Sequence, residues 1–309
     1  MELNARHKII TRAALVALLS TVTIVILKLV AAAISGSISV LAEGLQSLLD
    51  VFMSLMALWA VKVSIAPPDK EHPYGHSKAQ LLTGAFQMIL VLVSAGIIVW
   101  QASIRLYEPR SIVAEPGIGA MVLSIVLNFS VIVLIGVALR RAGPAPALEG
   151  EAEHLKADSL ASLGVLAGLV AYYFTGWEPL DPLVAIVFTG VGAFFAIRQL
   201  KKVIHPLMDG SLPPEQVKLV EETLDQHSDV KGYHNLRTRE SGDSSFVMLH
   251  VLLEDELSFV AAHDLAEQIE DEISEVLGGA LVTVHYEPYE AEIAHRAEEH
   301  DEPPPNPVK

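Results

Sequence analysis

The chain has 309 residues, of which 51% are hydrophobic, a mean hydropathy of +0.43 and a formal net charge of −16. It contains no cysteine, which excludes a disulfide framework and thiolate metal sites and leaves His, Asp, Glu and amide oxygens as metal ligands. The charge is unevenly divided: residues 1–203 carry 15 Lys and Arg against 13 Asp and Glu, residues 204–309 carry 6 against 24, and so acidic a second half argues against a nucleic-acid partner.

Six apolar runs follow one another before residue 204, at roughly 11–34, 39–63, 79–106, 116–139, 147–174 and 181–203. About 20 apolar residues span a bilayer core of roughly 30 Å, so each predicts a transmembrane helix. The first run is too long for the core of a cleaved signal peptide. The fifth opens on "ALEGEAEHLKADS", which lipid would not tolerate and which must face protein, water or a cavity. Arg6, Lys8, Arg12, Lys70, Lys78, Arg140, Arg141, Lys201 and Lys202 cluster on one set of connections, while "SGS" and "TGWEPLD" on the other set lack Lys and Arg. Arg105 and Arg110 dissent. The excess of positive charge on one side predicts cytoplasmic termini.

After Pro206 the pattern changes. "PPEQVKLVEETLDQH" predicts a helix, "HNLRTRES" and "SSFVMLHVLLE" two strands, "SFVAAHDLAEQIEDEISEVL" an amphipathic helix and "ALVTVHYEP" a last strand, from helical spacing in the first case and strand composition in the others. The order α-β-β-α-β predicts a small α+β domain with an antiparallel sheet. From Glu290 onward the chain is polar and Pro-rich and is expected to be disordered. The expected organisation is a six-helix transmembrane domain over 1–206, a cytoplasmic domain over 207–289 and a tail over 290–309.

Chemistry is legible inside the apolar runs. Asp50 lies near the middle of the second span, where an ionisable residue is costly and marks a functional site by default. Gln46 is one helical turn earlier, and the fifth span repeats the device with His154 and Asp158. Residues four apart share a helix face. Two such helices can converge four N/O ligands on one cation, a set suited to Zn²⁺ and related divalent metals. Glu43, three residues before Gln46, is a weaker candidate and is expected at an interface or in helix packing. In the second loop, Asp69, His72 and His76 have the spacing D-x-x-H-x-x-x-H, which suits a metal and also suits a helix entry shaped by Pro73 and Gly75. His234, His250, His263 and His285 fall on the predicted strands and helix of the soluble part, with Glu287 on the same side of its strand as His285.

"SISVLAEGLQSLLDVF", "PPDKEHPYGHSKAQ", "HLKADSLASLG" and "DPLVAIV" together resemble the cation diffusion facilitator family of divalent metal transporters, over nearly all of residues 8–288. The resemblance implies an α-helical membrane protein of six transmembrane helices with a cytoplasmic, metallochaperone-like α+β domain. It implies a homodimer in the inner (plasma) membrane that exports divalent metal, Zn²⁺ first among the candidates and Fe²⁺, Mn²⁺, Co²⁺ or Cd²⁺ after it, in exchange for protons. Position by position, it places the transport site on Gln46, Asp50, His154 and Asp158, a membrane-surface metal site on Asp69, His72 and His76, and cytoplasmic metal ligands on His234, His250, His263, His285 and Glu287. It also matches Lys78 and Asp209 to a charge pair at the start of the soluble domain. Two positions depart from the zinc-type pattern: Gln46, where Asp or His is common, and Glu287, where Asp is common. An amide oxygen is a neutral, weaker ligand, so metal identity hangs on Gln46. The alternatives are a metal-sensing or scaffold protein of the same family, and a membrane metal hydrolase. The hydrolase lacks its usual cue, H-E-x-x-H on a helix, and an enzyme is not expected.

Overall fold

A computed structural model describes residues 2–143, 145–242, 244–299 and 306–307. Six long helices come first: α1 Glu2–Ser35, α2 Ile38–Ser64, α3 Lys78–Tyr107, α4 Ala114–Ala142, α5 Pro146–Thr175 and α6 Leu180–Leu207. All six are long and apolar enough to cross a membrane, over stretches of 27 to 30 residues, about 40–45 Å at the helical rise per residue. Their bounds lie within a few residues of the expected spans. Then follow α7 Pro214–Leu224, β1 Val230–Ser241, β2 Ser244–Leu253, α8 Phe259–Val276, β3 Leu281–Pro288, α9 Tyr289–Glu299 and β4 Asn306–Pro307. The chain divides into two units, one of Met1–Leu58 and Phe86–Leu200, the other of Trp59–Ala85 and Lys201–Lys309.

In the first unit, large apolar side chains such as Leu15, Leu55, Trp100, Phe129 and Phe194 are exposed, as lipid contact requires. α2 and α5 are the least apolar spans, with hydropathies of 1.5 and 1.4 against 2.0 to 2.7 for the other four. These are the two helices that carry the pairs Gln46 with Asp50 and His154 with Asp158. α2 begins at a cap supplied from α6. The carboxylate of Asp181, 3% exposed, accepts from the Ile38 and Ser39 amides at 2.7 and 3.2 Å and from the Ser37 and Ser39 hydroxyls at 2.5 Å each. It thereby satisfies backbone donors that the first helical turn leaves unpaired.

α1 and α2 approach closely at Gly44, where a Cβ would meet the Leu29 side chain at 3.1 Å. Beside that contact lies the charge that the sequence reading overlooked. Lys28, 1% exposed, places Nζ 3.0 Å from Glu43 Oε1 and 3.2 Å from Ser47 Oγ. The Ser162 hydroxyl of α5 donates to the same Glu43 oxygen. Glu43 is therefore a helix-packing residue, as one of its two expected roles had it, and it ties α1, α2 and α5 together.

In the second unit the sheet order is β3-β2-β1-β4. Antiparallel pairing holds for β1 with β2, but β2 and β3 are parallel, which corrects the expectation of an antiparallel sheet. The 18-residue helix α8 lies between them; a crossover of that length returns the chain in the same direction, whereas a tight hairpin would reverse it. Val247, Leu249, Val251 and Val284 pack with Val220, Leu224, Ile269 and Ile273 in one core. By the two-residue period of strands, Phe246, Met248, His250, Thr283, His285 and Glu287 point to the opposite face.

The tail is a second correction. The stretch from Glu290 to Glu299, expected to be disordered, belongs to the helix Tyr289–Glu299, and Asn306–Pro307 pairs with Gly232 and Tyr233 of β1. The helix start is held by the Glu290 amide, which donates to Asp255 Oδ1 at 2.9 Å. Residues 300–305 and 308–309 of the expected tail lie outside the described ones.

Asp209 adopts a positive φ of 53° and accepts from Lys78 Nζ at 2.9 Å and Arg239 Nη1 at 3.0 Å. The hydrogen bonds from Lys78 and then Arg239 hold its carboxyl below the usual carboxylate range. A depressed pKa contributes stability that is present above the unfolded value and lost as pH falls through the folded one. The gap in melting temperature between the wild type and Asp209→Asn should therefore be constant above about pH 5 and shrink below about pH 4. Lys28→Met should be more damaging, because it strands a buried carboxylate: a loss of about 3–5 kcal/mol is expected. Lys28→Met with Glu43→Gln should recover most of that loss, as read by thermal unfolding in detergent.

Candidate metal centres

Among the described residues, three groups of His and carboxylate side chains bring one ligand atom each within 4.8 Å of one another. The first lies in the span helices. Asp50 of α2 and His154 and Asp158 of α5 converge, with His154 Nε2 3.9 Å from Asp50 Oδ2 and 3.7 Å from Asp158 Oδ2. Ligands at 2.0–2.1 Å in a tetrahedron stand about 3.3–3.4 Å apart, so His154 would have to come roughly half an ångström closer to each carboxylate to share a cation with it. Asp50 Oδ2 is buried and accepts no hydrogen bond, an uncommon state for a buried polar atom and one that a cation ligand would relieve. The i,i+4 spacing brings His154 and Asp158 together on α5, and the polar opening turns of that helix serve this face.

Gln46 also lies on α2, one turn before Asp50. It lines a cavity of about 20 Å³ with Val91 and Ser94 of α3 and Thr189 and Gly192 of α6. Its Oε1 is 3.5 Å from where a Cβ on Gly192 would sit. Such a volume holds about one water.

The second group occupies the loop between α2 and α3. His72 Nδ1 is 3.5 Å from Asp69 Oδ1 and His76 Nε2 is 3.4 Å from Asp69 Oδ2, with the two rings 4.6 Å apart. Asp69 Oδ1 also accepts the backbone amides of His72 and Glu71, at 2.6 and 2.9 Å. Those bonds, the one from His72 foremost, depress its pKa and keep it ionised. His76 Nδ1 is buried without a hydrogen-bond partner. The arrangement is an Asx-type turn that presents one carboxylate between two imidazoles.

The third group is on the sheet face opposite the core. His234 pairs in register with His250 on β2, and His250 with His285 on β3. Three histidines thus form a row across three strands, with ring centroids 4.8 and 4.7 Å apart. The register shifts between His234 and Arg237, where Asn235 has a φ of 51°, so a bulge sits immediately beside the row. Glu287 turns Oε2 to His234 Nε2 at 2.8 Å and Oε1 to His250 Nδ1 at 2.9 Å and His285 Nε2 at 3.3 Å. Burial pushes the Glu287 carboxyl up, but hydrogen bonds from His234 and His250 outweigh it and hold it below the ordinary value. His263 stands apart in this chain. It lies on α8 and faces Glu267 of the same helix at 3.5 Å.

Comparison with known proteins agrees with this architecture. The family model for the cation efflux transmembrane domain matches residues 14–208, and that for the cation efflux protein cytoplasmic domain matches residues 212–289. An uncharacterized transporter of Synechocystis is 36% identical over 270 residues, covering 85% of this chain and 86% of the relative. The cation-efflux pump FieF of Serratia proteamaculans is 30% identical over 283 residues, covering 91% and 93%. A solved chain of CzrB is 29% identical, covers 25% of this chain and 98% of its own, and superposes with a TM-score of 0.24. The matches span both halves of the sequence, and the chain belongs to the cation efflux, or cation diffusion facilitator, family.

Proposed function

We propose that the protein exports divalent transition-metal cations from the cytoplasm in exchange for protons, with zinc as the first candidate. The observation that carries this is the convergence of Asp50, His154 and Asp158 from two span helices. Two carboxylates match the charge of a divalent cation, and His154 supplies a borderline ligand of the kind zinc prefers. Metal binding requires ionised carboxylates and a neutral imidazole, so protons and metal compete for the same atoms. Histidine titrates near neutral pH, which makes that competition usable as exchange. Alternating access of a site between α2 and α5 would let protons entering from outside displace metal outward.

In this proposal Gln46 is a fourth, neutral ligand that sets metal preference, and Asp69 with His72 and His76 holds a further cation in the loop. The cytoplasmic row of His234, His250 and His285 with Glu287 binds metal and reports its level, with His263 joining from the partner of a homodimer. The chain lies in the inner membrane with both termini in the cytoplasm, as its loop charges suggest. A second reading has one specific support: Gln46 lines a small cavity with Ser94, Thr189 and Gly192, and a site without a ligand there would bind metal and transport little.

Reconstitution separates the two. Liposomes loaded with a metal-sensitive dye should show uptake that grows with an imposed pH gradient and falls to background in Asp50→Ala. Binding without gradient-dependent uptake would favour the sensor. Gln46→Asp and Gln46→His should each raise apparent zinc affinity, by about tenfold, and change the order of metals in competition uptake. If neither substitution alters affinity or order, Gln46 is not a ligand.

A further inference from the structure

The strongly acidic second half of the chain pairs its positive charges with acids: Lys218 with Glu222, Lys231 with Glu254 and Arg239 with Asp209. Arg237 of β1 departs from this. It is exposed and makes no ion pair among the described residues. A lone surface arginine is ordinarily just solvated, but Arg237 lines a cavity of about 770 Å³. One wall is the loop between α2 and α3, with Tyr74, and another is the outer sheet face, with Phe246, Met248 and Leu281. The Arg239 guanidinium lies over the Tyr74 and Phe246 rings, 4.9 and 4.5 Å from their centroids. Asp209 is the only acid among the described lining residues, and it already accepts from both Lys78 and Arg239. Three cations, Lys78, Arg237 and Arg239, therefore stand against one carboxylate. A cleft with low-dielectric walls and an excess of one sign of charge concentrates the opposite ion.

We infer that this cavity binds the phosphate headgroup of an anionic phospholipid, with Arg237 as the phosphate's partner. The loop wall is tethered to the membrane at both ends. Pro68 follows the end of α2 at Ser64 by four residues, and Tyr74 precedes the start of α3 at Lys78 by four. Four residues reach at most about 14 Å. Helices of about 40–45 Å match a bilayer with its headgroups, so the ends of α2 and α3 stand at headgroup level. Lys62 in the last turn of α2, and Lys201 and Lys202 near the end of α6, are also exposed and without an ion pair among the described residues, as suits an anionic lipid surface. The planar fork of an arginine matches phosphate oxygens two at a time. The apolar and aromatic walls accept the glycerol and the first chain carbons, and a volume of this size suits a ligand of that bulk. The choice of leaflet follows the orientation proposed above; binding itself does not depend on it, nor on any metal site.

The test uses the full chain in neutral detergent. Short-chain phosphatidylglycerol is titrated in, and bound lipid is counted by native mass spectrometry. The wild type should retain phosphatidylglycerol at concentrations where phosphatidylcholine of the same chain length is not retained. Arg237→Gln should weaken that binding by about tenfold, the loss of one charge-assisted hydrogen bond, and Arg237→Lys should restore part of it. Lys201→Gln with Lys202→Gln should cost less than Arg237→Gln. Equal retention of phosphatidylcholine, or unchanged phosphatidylglycerol binding in Arg237→Gln, overturns the inference. A double lysine variant as damaging as Arg237→Gln also overturns it, since the lipid would then be held by surface charge and not by the cavity. Displacement of the lipid by an equal concentration of glycerol phosphate or inorganic phosphate would make this a site for free phosphate and overturn the lipid assignment. A change from dimer to monomer in Arg237→Gln, with the lipid count unchanged, would make the cavity an interface between copies and overturn it too.

Discussion

A charge placed in a hydrocarbon layer has to find its partner inside the protein, and that constraint organises the membrane half of this molecule. Lys28 and Glu43 meet between α1 and α2, with Ser162 of α5 completing the contact. Neither charge has water to fall back on, so the three helices are held in one relation. Ser162 is one turn beyond Asp158 on α5, and Glu43 two turns before Asp50 on α2, so two of the three helices joined by this contact also carry the Asp50, His154 and Asp158 triad. The pair is thus a fixed internal clamp on helices that also carry the Asp50, His154 and Asp158 cluster.

The same economy governs the ends of the helices. Asp181 closes the start of α2 with four hydrogen bonds from residues 37–39. This accounts in structural terms for two of the segments that carry the family resemblance, "SISVLAEG" and "DPLVAIV": one supplies the donors and the other the acceptor. Motifs of this kind fix where α2 begins, and with it the position of the side chains that α2 carries.

In the second unit the strand period does the sorting. One face of the sheet goes to the core with α7 and α8, and the other collects His234, His250, His285 and Glu287. The register makes a row of the histidines, and the parallel return through α8 brings β3, with His285 and Glu287, beside β2. Had β3 paired antiparallel, as expected, the order of its residues along β2 would be reversed. The pair His250 and His285 would then not follow from the sheet.

The candidate metal ligands legible in sequence were those with local spacing. Asp50, His154 and Asp158 stand out because ionisable groups in apolar runs are expensive, and their four-residue intervals put them on one helix face before any fold is known. Asp69, His72 and His76 are local in the same way. Lys28 is equally expensive in its apolar run, but its partner, 15 residues later on another helix, is identified only when the helices pack. Chain length, apolar periodicity and the absence of cysteine determined by themselves six spans, a small α+β domain and an N/O ligand chemistry, because these depend on composition and local spacing. Tertiary structure alone decided the parallel β2–β3 pairing, the helical start of the tail, the ion pair across α1 and α2 and the histidine row, because each depends on residues that meet only when separate elements pack.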